Sequence, residues 1–333
     1  MHYIINNMDR LATIQDPIQK ELAQQAELLR ESLKSQIPLI NSVVHYFLEK
    51  KGKMIRPVMV LLAAKLTGNG RITLNTQYSA VALELLHNAS LIHDDVVDDA
   101  AERRGHASVN VVWDNKVAVL MGDFFLARCL VKSTETRSLE IQAVLSELAS
   151  SLAEGELEQL ANARGRVLNE DSYYSVIRNK TASLFVACMK LGAISVDASV
   201  EATRVIAEFG EKLGIIFQIR DDIFDYYSDP AIGKPTGNDI REGKITLPLL
   251  YALKNGSGEE HGRMIGLLNH EELSKEDIFR LVEYAKANGG IEYAQATMLR
   301  LAYEAKGLLS FFPDSAAKTS FVELVDYVIE RNK

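Results

Sequence analysis

The chain has 333 residues, of which 47% are hydrophobic and 25% charged, and its formal net charge is −8. This composition is that of a globular protein long enough to bury a large core, and its acidic balance argues against a nucleic-acid partner, since phosphate backbones are bound by clustered Lys and Arg. Cys129 and Cys188 show no CxxC spacing, so neither a disulfide framework nor a zinc site is expected. We expect no signal peptide, no membrane span and a cytoplasmic location.

Apolar residues recur at intervals of three and four along most of the chain, for example from Ile18 to Leu33 and from Val81 to Ile92. This spacing predicts amphipathic helices. Glycines fall mostly between the periodic segments, and no shift in composition divides the chain. We therefore predict an all-α fold in one domain, residues 1–333, with the functional motifs within residues 52–244.

The first motif in chain order is basic. Lys53 and Arg56 belong to the segment Lys51-Gly-Lys-Met-Ile-Arg-Pro57, in which the proline suits the first position of a helix. A basic loop at a helix N-terminus can bind an anion, although such a loop is more often only solvated.

Two acidic clusters with the same spacing follow. Asp94-Asp95-Val-Val-Asp98 is matched by Asp221-Asp222-Ile-Phe-Asp225, each after an apolar helical run. Residues i and i+4 share a helix face, where like charges destabilise the helix, especially near its C-terminal end. A cation would compensate them, and ligands that are all oxygen favour Mg²⁺, which shares its remaining positions with substrate phosphates. One such cluster is as often a solvated face as a site, whereas two favour a site for a diphosphate.

Six residues that can bind phosphate follow or separate these clusters: Arg103, Arg104, Lys180, Thr181, Lys234 and Lys244. The arginine fork suits phosphate oxygens. Lys180 and Thr181 lie in an otherwise apolar predicted helix, where neither is favoured without a partner. The segment 229–244, which supplies the last two lysines, is typical of a loop that closes over a ligand.

The ordered set of motifs resembles the trans-prenyl diphosphate synthases, or polyprenyl synthetases, over roughly residues 40–255. The matching positions are Gly52-Lys-x-x-Arg-Pro57, His87, Asp94-Asp-x-x-Asp98, Arg103-Arg-Gly105, Gly122-Asp123, Lys180-Thr181, Phe217-Gln-x-x-Asp-Asp-x-x-Asp225 and Gly233-Lys-Pro through Gly243-Lys244. In one departure, Lys51-Gly52-Lys53 stands where the family often has Gly-Gly-Lys.

The resemblance implies an isoprenoid-synthase-type helical bundle around a central cavity, usually a homodimer, that adds isopentenyl diphosphate head-to-tail to an allylic diphosphate. It implies three Mg²⁺ ions on Asp94, Asp98 and Asp221, with Asp95, Asp222 and Asp225 as supporting ligands. The allylic diphosphate would be held by Arg103, Lys180, Thr181, Gln218 and Lys234. Isopentenyl diphosphate would be held by Lys53, Arg56, His87 and Arg104, with Lys244 nearby. The residues implied in catalysis are Asp94, Asp98, Arg103, Lys180, Asp221 and Lys234.

The residues just before the first cluster bear on product length. In family members with short products, a bulky aromatic commonly stands about one helical turn before Asp94, where this chain has the small residues Ala89 and Ser90. The growing chain is therefore expected to pass them toward Leu86 and Leu83, roughly 12 and 16 Å down the same helix. This predicts a long-chain product of about C30 to C50 and leaves a short-chain synthase, C15 to C20, as the alternative.

Other classes fit less well. A class I terpene cyclase would ordinarily carry a different second metal motif and no isopentenyl site, and a non-catalytic subunit usually loses the acidic motifs. A metal-dependent phosphohydrolase would use the dipeptide His93-Asp94 but leaves the second cluster unexplained. An EF-hand loop would need alternating ligands and a central glycine. For a long lipid product, we expect transient membrane contact on release.

Overall fold

A computed structural model of the chain describes residues 10–49, 54–103, 105–165, 167–227, 236–270 and 272–331. Almost all of the secondary structure in these ranges is helical, which confirms the all-α prediction. The helices are α1 (Gln19–Ser32), α2 (Pro38–Glu49), α3 (Ile55–Thr67), α4 (Leu74–Val97), α5 (Val109–Val112), α6 (Asn115–Glu135), α7 (Leu139–Gly165), α8 (Glu170–Ile177), α9 (Ser183–Ile194), α10 (Val200–Phe224), α11 (Asn238–Arg241), α12 (Leu247–Asn255), α13 (Gly258–Leu267), α14 (Lys275–Ala287), α15 (Gly290–Leu308) and α16 (Ala316–Glu330). Residues 10–15 are also helical. Short 3₁₀ turns cover Asp16–Ile18 and Leu309–Phe311, and a π turn covers Arg178–Ala182.

The two helices that carry the acidic clusters have well-defined ends. The Thr73 side chain accepts a hydrogen bond from the Thr76 backbone at the start of α4, and Ser199 caps α10 in the same way. At their other ends Asp98 and Asp225 are the C-cap residues. Both clusters therefore lie at helix C-termini, where the helix dipole adds to the repulsion among carboxylates.

The helices around the clusters pack closely in a common core. Helix α4 packs along α6, and α9 packs against both α3 and α10. At Gly214 of α10, an added Cβ would stand 2.6 Å from the Ala182 Cα, so a larger residue would push α10 away from the π turn. A second hydrophobic cluster, built mainly by α12, α14 and their neighbours, lies after the second acidic motif in the chain.

A small hairpin was not expected from the sequence. Strands β1 (Glu102–Arg103) and β2 (His106–Ala107) pair antiparallel around Gly105, whose φ of +74° suits glycine. Two-residue strands are too short for a visible alternation of polar and apolar residues. The hairpin matters because it carries Arg103 back toward the end of α4.

The start of α3 also differs from expectation. The helix begins at Ile55, with Met54 as a left-handed N-cap (φ 51°), so that Pro57 is its third residue and not its first. In the part of the chain that the structure describes, no helix is both long enough and apolar enough to cross a membrane.

Candidate active site

The three carboxylates of the first acidic cluster have different surroundings. Asp98 is exposed and Asp94 half-buried, and neither side chain has a hydrogen bond or ion pair with the described residues. Asp95 is only 2% exposed and accepts a hydrogen bond from the Nε of Arg103 at 2.6 Å. The hairpin therefore holds Asp95 on the protein side of the helix, while the i and i+4 acids remain available for ligands.

In the second cluster, by contrast, all three carboxylates have protein partners. Asp222 is 2% exposed and accepts hydrogen bonds from the Tyr173 hydroxyl (2.6 Å) and the Gln218 amide (2.8 Å). Asp225 accepts the backbone N–H groups of residues 238 and 239, each at 3.0 Å, and so anchors α11. Asp221 pairs with Arg331, whose guanidinium approaches it at 2.5 Å. Asp225 is thus a helix-anchoring residue in this structure.

The π turn between α8 and α9 contacts the second cluster through Gln218. The Thr181 hydroxyl donates to the Gln218 side chain at 2.8 Å, and Gln218 in turn donates to Asp222. Lys180 forms an ion pair with Glu156 of α7. The extra residue of a π turn is common at functional sites, and here it places a cation and a hydroxyl beside the second acidic cluster.

Burial and neighbouring charges shift the pKa values of several residues at the two acidic helix ends. Burial raises the pKa of Asp94 to about 6, and the charge of Lys180 opposes this rise. Burial likewise raises the pKa of Asp222 to about 8, with repulsion from Asp239 adding to it. The pKa of Lys244 is raised. Burial acts to lower it, but the hydrogen bond to Glu242 and the nearby negative charges, including that of Asp98, outweigh burial. Asp94 and Asp98 of the first cluster are therefore close enough to Lys180 and Lys244, respectively, to interact with their charges.

A cleft of about 190 Å³ opens next to the second cluster. Its lining includes six residues near the second cluster or the π turn, together with other polar and apolar side chains: Lys180, Thr181, Gln218, Asp222, Asp239 and Lys244. Five of these are residues that the sequence singled out, and the structure brings them together although up to 64 positions separate them along the chain. The sixth, Asp239, belongs to the segment 229–244 and was not assigned a role.

The other sequence-predicted substrate residues lie elsewhere or cannot be placed. Arg56 and His87 stand on α3 and α4, outside the lining of this cleft. Lys53, Arg104 and Lys234 lie outside the described residues, so their predicted roles stay predictions.

The four residues predicted to control product length are on α4. Leu83, Leu86 and Ala89 are buried in the core, whereas Ser90 is half-buried and its hydroxyl donates to the His87 carbonyl at 2.9 Å. None of them lines the cleft described above. Their role in chain length therefore stays a prediction.

Four partners of the candidate residues were missed by sequence reasoning: Glu84, Glu156, Tyr173 and Arg331. Each meets a singled-out residue only through the tertiary fold, and the pairs Tyr173–Asp222 and Arg331–Asp221 are 49 and 110 residues apart. No local motif marks such partners. The only available signal was that isolated buried charges need counter-charges.

The donor set fits Mg²⁺. Among the described residues, no three acidic, His or Cys side chains are grouped closely enough to hold a metal ion alone. Magnesium is ordinarily held by one or two carboxylates, with phosphate oxygens and waters in its other positions. Asp94 and Asp98 suit that arrangement, because their carboxylates are close in sequence and not used by the described residues.

Fold and site together define an all-α protein with two acidic helix ends, the second of which borders a cleft lined by Lys180 and Lys244. The polyprenyl synthetase family model matches residues 37–285, three quarters of the chain, and the chain belongs to that family. This confirms the predicted enzyme class, a transferase that makes prenyl diphosphates.

Individual proteins support the same assignment. The octaprenyl diphosphate synthase of Escherichia coli K12 is 33% identical over 327 residues, 97% of this chain and 99% of that protein. A geranylgeranyl pyrophosphate synthase structure from Bacteroides thetaiotaomicron is 40% identical, with a TM-score of 0.83 over 97% of this chain and all of that one. A polyprenyl synthase from Caulobacter crescentus CB15, complexed with calcium and isoprenyl diphosphate, is 31% identical, with a TM-score of 0.86 over 97% and 98% of the two chains.

Proposed function

We propose that this enzyme adds isopentenyl diphosphate head-to-tail to an allylic diphosphate, with Mg²⁺ as its metal, and releases a long-chain all-trans product of about C30 to C50. The observation that carries the proposal is the convergence of Lys180, Thr181 and Lys244 with the second acidic cluster in one cleft. The electrostatic coupling of Asp94 to Lys180 extends that region to the first cluster. Two acidic clusters near Lys180 and Lys244 suit a diphosphate bound together with metal ions.

The reaction needs charge stabilisation at the leaving group. Breaking the allylic carbon–oxygen bond leaves a carbocation and a diphosphate, and Lys180 and Lys244 supply positive charge where the diphosphate charge develops. Thr181 and Gln218 orient that group by hydrogen bonding. When bound at the acidic residues, Mg²⁺ would supply further positive charge to the leaving diphosphate.

The second half of the reaction forms the new carbon–carbon bond. The isopentenyl double bond attacks the allylic carbon, and the resulting cation loses a proton to the departing diphosphate, which restores a double bond. Arg56 and His87 are the described residues proposed to hold the isopentenyl diphosphate during this step. Water must be excluded meanwhile, because it would trap the cation as an alcohol.

The product length is argued from α4. Ala89 is small, so that position offers no bulky floor to a growing chain. The octaprenyl relative favours a long product. The likeness to a geranylgeranyl pyrophosphate synthase favours the short-chain alternative, which therefore remains the second candidate. We also propose a homodimer and transient membrane contact on product release.

A product assay tests the proposal. The purified full chain is incubated with farnesyl diphosphate, radiolabelled isopentenyl diphosphate and Mg²⁺, and the dephosphorylated products are separated by chain length. We expect products of C30 or longer. Accumulation of C15 or C20 from shorter primers would contradict the long-chain proposal, and release of phosphate without use of isopentenyl diphosphate would favour the phosphohydrolase.

A further inference from the structure

An ion pair between α3 and α4 stands next to the proposed isopentenyl site. The Nε and Nη2 atoms of Arg56 donate to the two carboxylate oxygens of Glu84, at 3.0 and 3.3 Å. The side chains are 19% and 13% exposed, so the pair is well shielded but not sealed from solvent. Bidentate pairs of this kind fix the orientation of the guanidinium as well as its position.

The geometry leaves one edge of the guanidinium for a ligand. Arg has five N–H donors in a planar fork, and Glu84 takes the Nε–Nη2 edge. The Nη1–Nη2 edge makes no other hydrogen bond to the described residues. That edge matches two oxygens of a phosphate.

The position of Glu84 on α4 also indicates a role at the substrate site. Glu84, His87, Leu91 and Asp94 recur at intervals of three and four and are all half-buried, whereas Leu85, Leu86 and Ala89 between them are buried. This spacing places them on one face of the helix. Glu84 therefore shares its face with a proposed isopentenyl ligand and a proposed metal ligand.

We propose that Glu84 is a positioning residue, which holds Arg56 so that its outer edge meets the diphosphate of isopentenyl diphosphate. This inference rests on the proposed function. Arg56 lies in the first turn of α3, two residues after the left-handed Met54. Its long side chain would otherwise have many conformers to lose on binding. Because Glu84 already holds this side chain in one conformer, less conformational entropy is lost when the ligand binds.

A purely electrostatic role would have the opposite sign. Glu84 neutralises part of the Arg56 charge, so on charge alone its removal would strengthen the binding of an anion. The direction of the change therefore separates positioning from neutralisation.

The test uses Glu84→Gln in the full-length protein, with two readouts. The first is the dissociation constant of isopentenyl diphosphate alone, measured by isothermal titration calorimetry without metal. The second is steady-state kinetics with both substrates. We expect Glu84→Gln to weaken isopentenyl diphosphate about tenfold in both readouts, while kcat and the KM of the allylic substrate change less than about twofold. Combined with Arg56→Gln, it should add little further loss, because the two residues act as one unit.

The control is Glu21→Gln. Glu21 pairs with Lys65 at 3.1 Å near the other end of α3, with side-chain exposures of 23% and 20%. This variant removes a partly shielded ion pair made by Lys65 of the same helix and should leave both constants unchanged. If Glu84→Gln does not fold, Glu84→Asp, which keeps the charge but shortens the side chain, carries the same expectation with a smaller loss.

The outcomes separate the two proposals. If Glu84→Gln binds isopentenyl diphosphate as tightly as the wild type or more tightly, or raises both KM values equally, the positioning role is overturned. The proposed function is kept in that case if the wild type is active. If the wild type is inactive but binds isopentenyl diphosphate, and Glu84→Gln binds it more weakly, the proposed function is overturned and the positioning role is supported. A wild type that does not bind isopentenyl diphosphate overturns both.

Discussion

The hydrogen bond between Tyr173 and Asp222 makes a pH-dependent contribution to stability. The carboxyl is buried, which raises its pKa from 3.8 to about 8, and the tyrosine hydroxyl opposes that rise. Because the folded-state pKa lies above the unfolded one, the native protein holds an extra proton between these values. The metal-free protein should therefore lose stability as the pH rises from about 4 to 8.

The Tyr173→Phe substitution removes only the hydroxyl. Below pH 7 it breaks a hydrogen bond to a neutral carboxyl, at a cost of about 1 kcal/mol, whereas above pH 8 it breaks one to a carboxylate, at a cost of roughly 2 to 3 kcal/mol. Gln218 remains as the second donor to Asp222, so the native fold should survive. The destabilisation is therefore expected to be about twice as large at pH 9 as at pH 6.

The assay is urea unfolding of the protein in EDTA at pH 6 and pH 9, followed by circular dichroism. Tyr174→Phe is the matched control, because this neighbouring ring contacts Tyr173 edge-on at 5.3 Å and its hydroxyl has no hydrogen bond to the described residues. Its effect should be the same at both pH values. Equal costs for Tyr173→Phe at pH 6 and pH 9 would refute the reasoning.

Two further predictions concern the reaction. Asp94→Asn should lower turnover by orders of magnitude by removing a shared metal ligand, and it should reduce the rise in melting temperature that Mg²⁺ with an allylic diphosphate gives the wild type; an undiminished rise would exclude Asp94 as a ligand. Ala89→Phe or Ser90→Phe should shorten the product while leaving turnover largely intact, as measured by product chromatography; unchanged lengths would mean that these side chains do not face the growing chain.

The helical fold could be predicted from the sequence because periodicity is a local property. Apolar residues at intervals of three and four mark the buried stripe of each helix. The same rule placed both acidic clusters on helices, and the structure adds that Asp98 and Asp225 are the C-caps. The hairpin at Arg103 and the π turn at Lys180 were missed, because two-residue strands and one inserted residue leave no periodic signal.

The residues that satisfy the site could not be predicted, since pairing across the fold is not a local property. Arg56 and Glu84 are 28 residues apart, and Asp221 and Arg331 are 110 apart. In each case the sequence showed a charge but not its counter-charge. Packing of the helices, which depends on the whole core, decides which side chains meet.

Helix geometry explains why the second carboxylate of each acidic cluster is buried. The second acid of each cluster turns away from the first by about 100°, and both Asp95 and Asp222 are 2% exposed and held by protein donors. A buried carboxylate without such donors would be costly. The first and last acids of the first cluster, Asp94 and Asp98, share a face and keep their oxygens for ligands. The first motif thus joins a face that we propose binds metal to an anchoring residue. An apolar residue in place of Asp95 or Asp222 would leave Arg103 or Tyr173 without this partner.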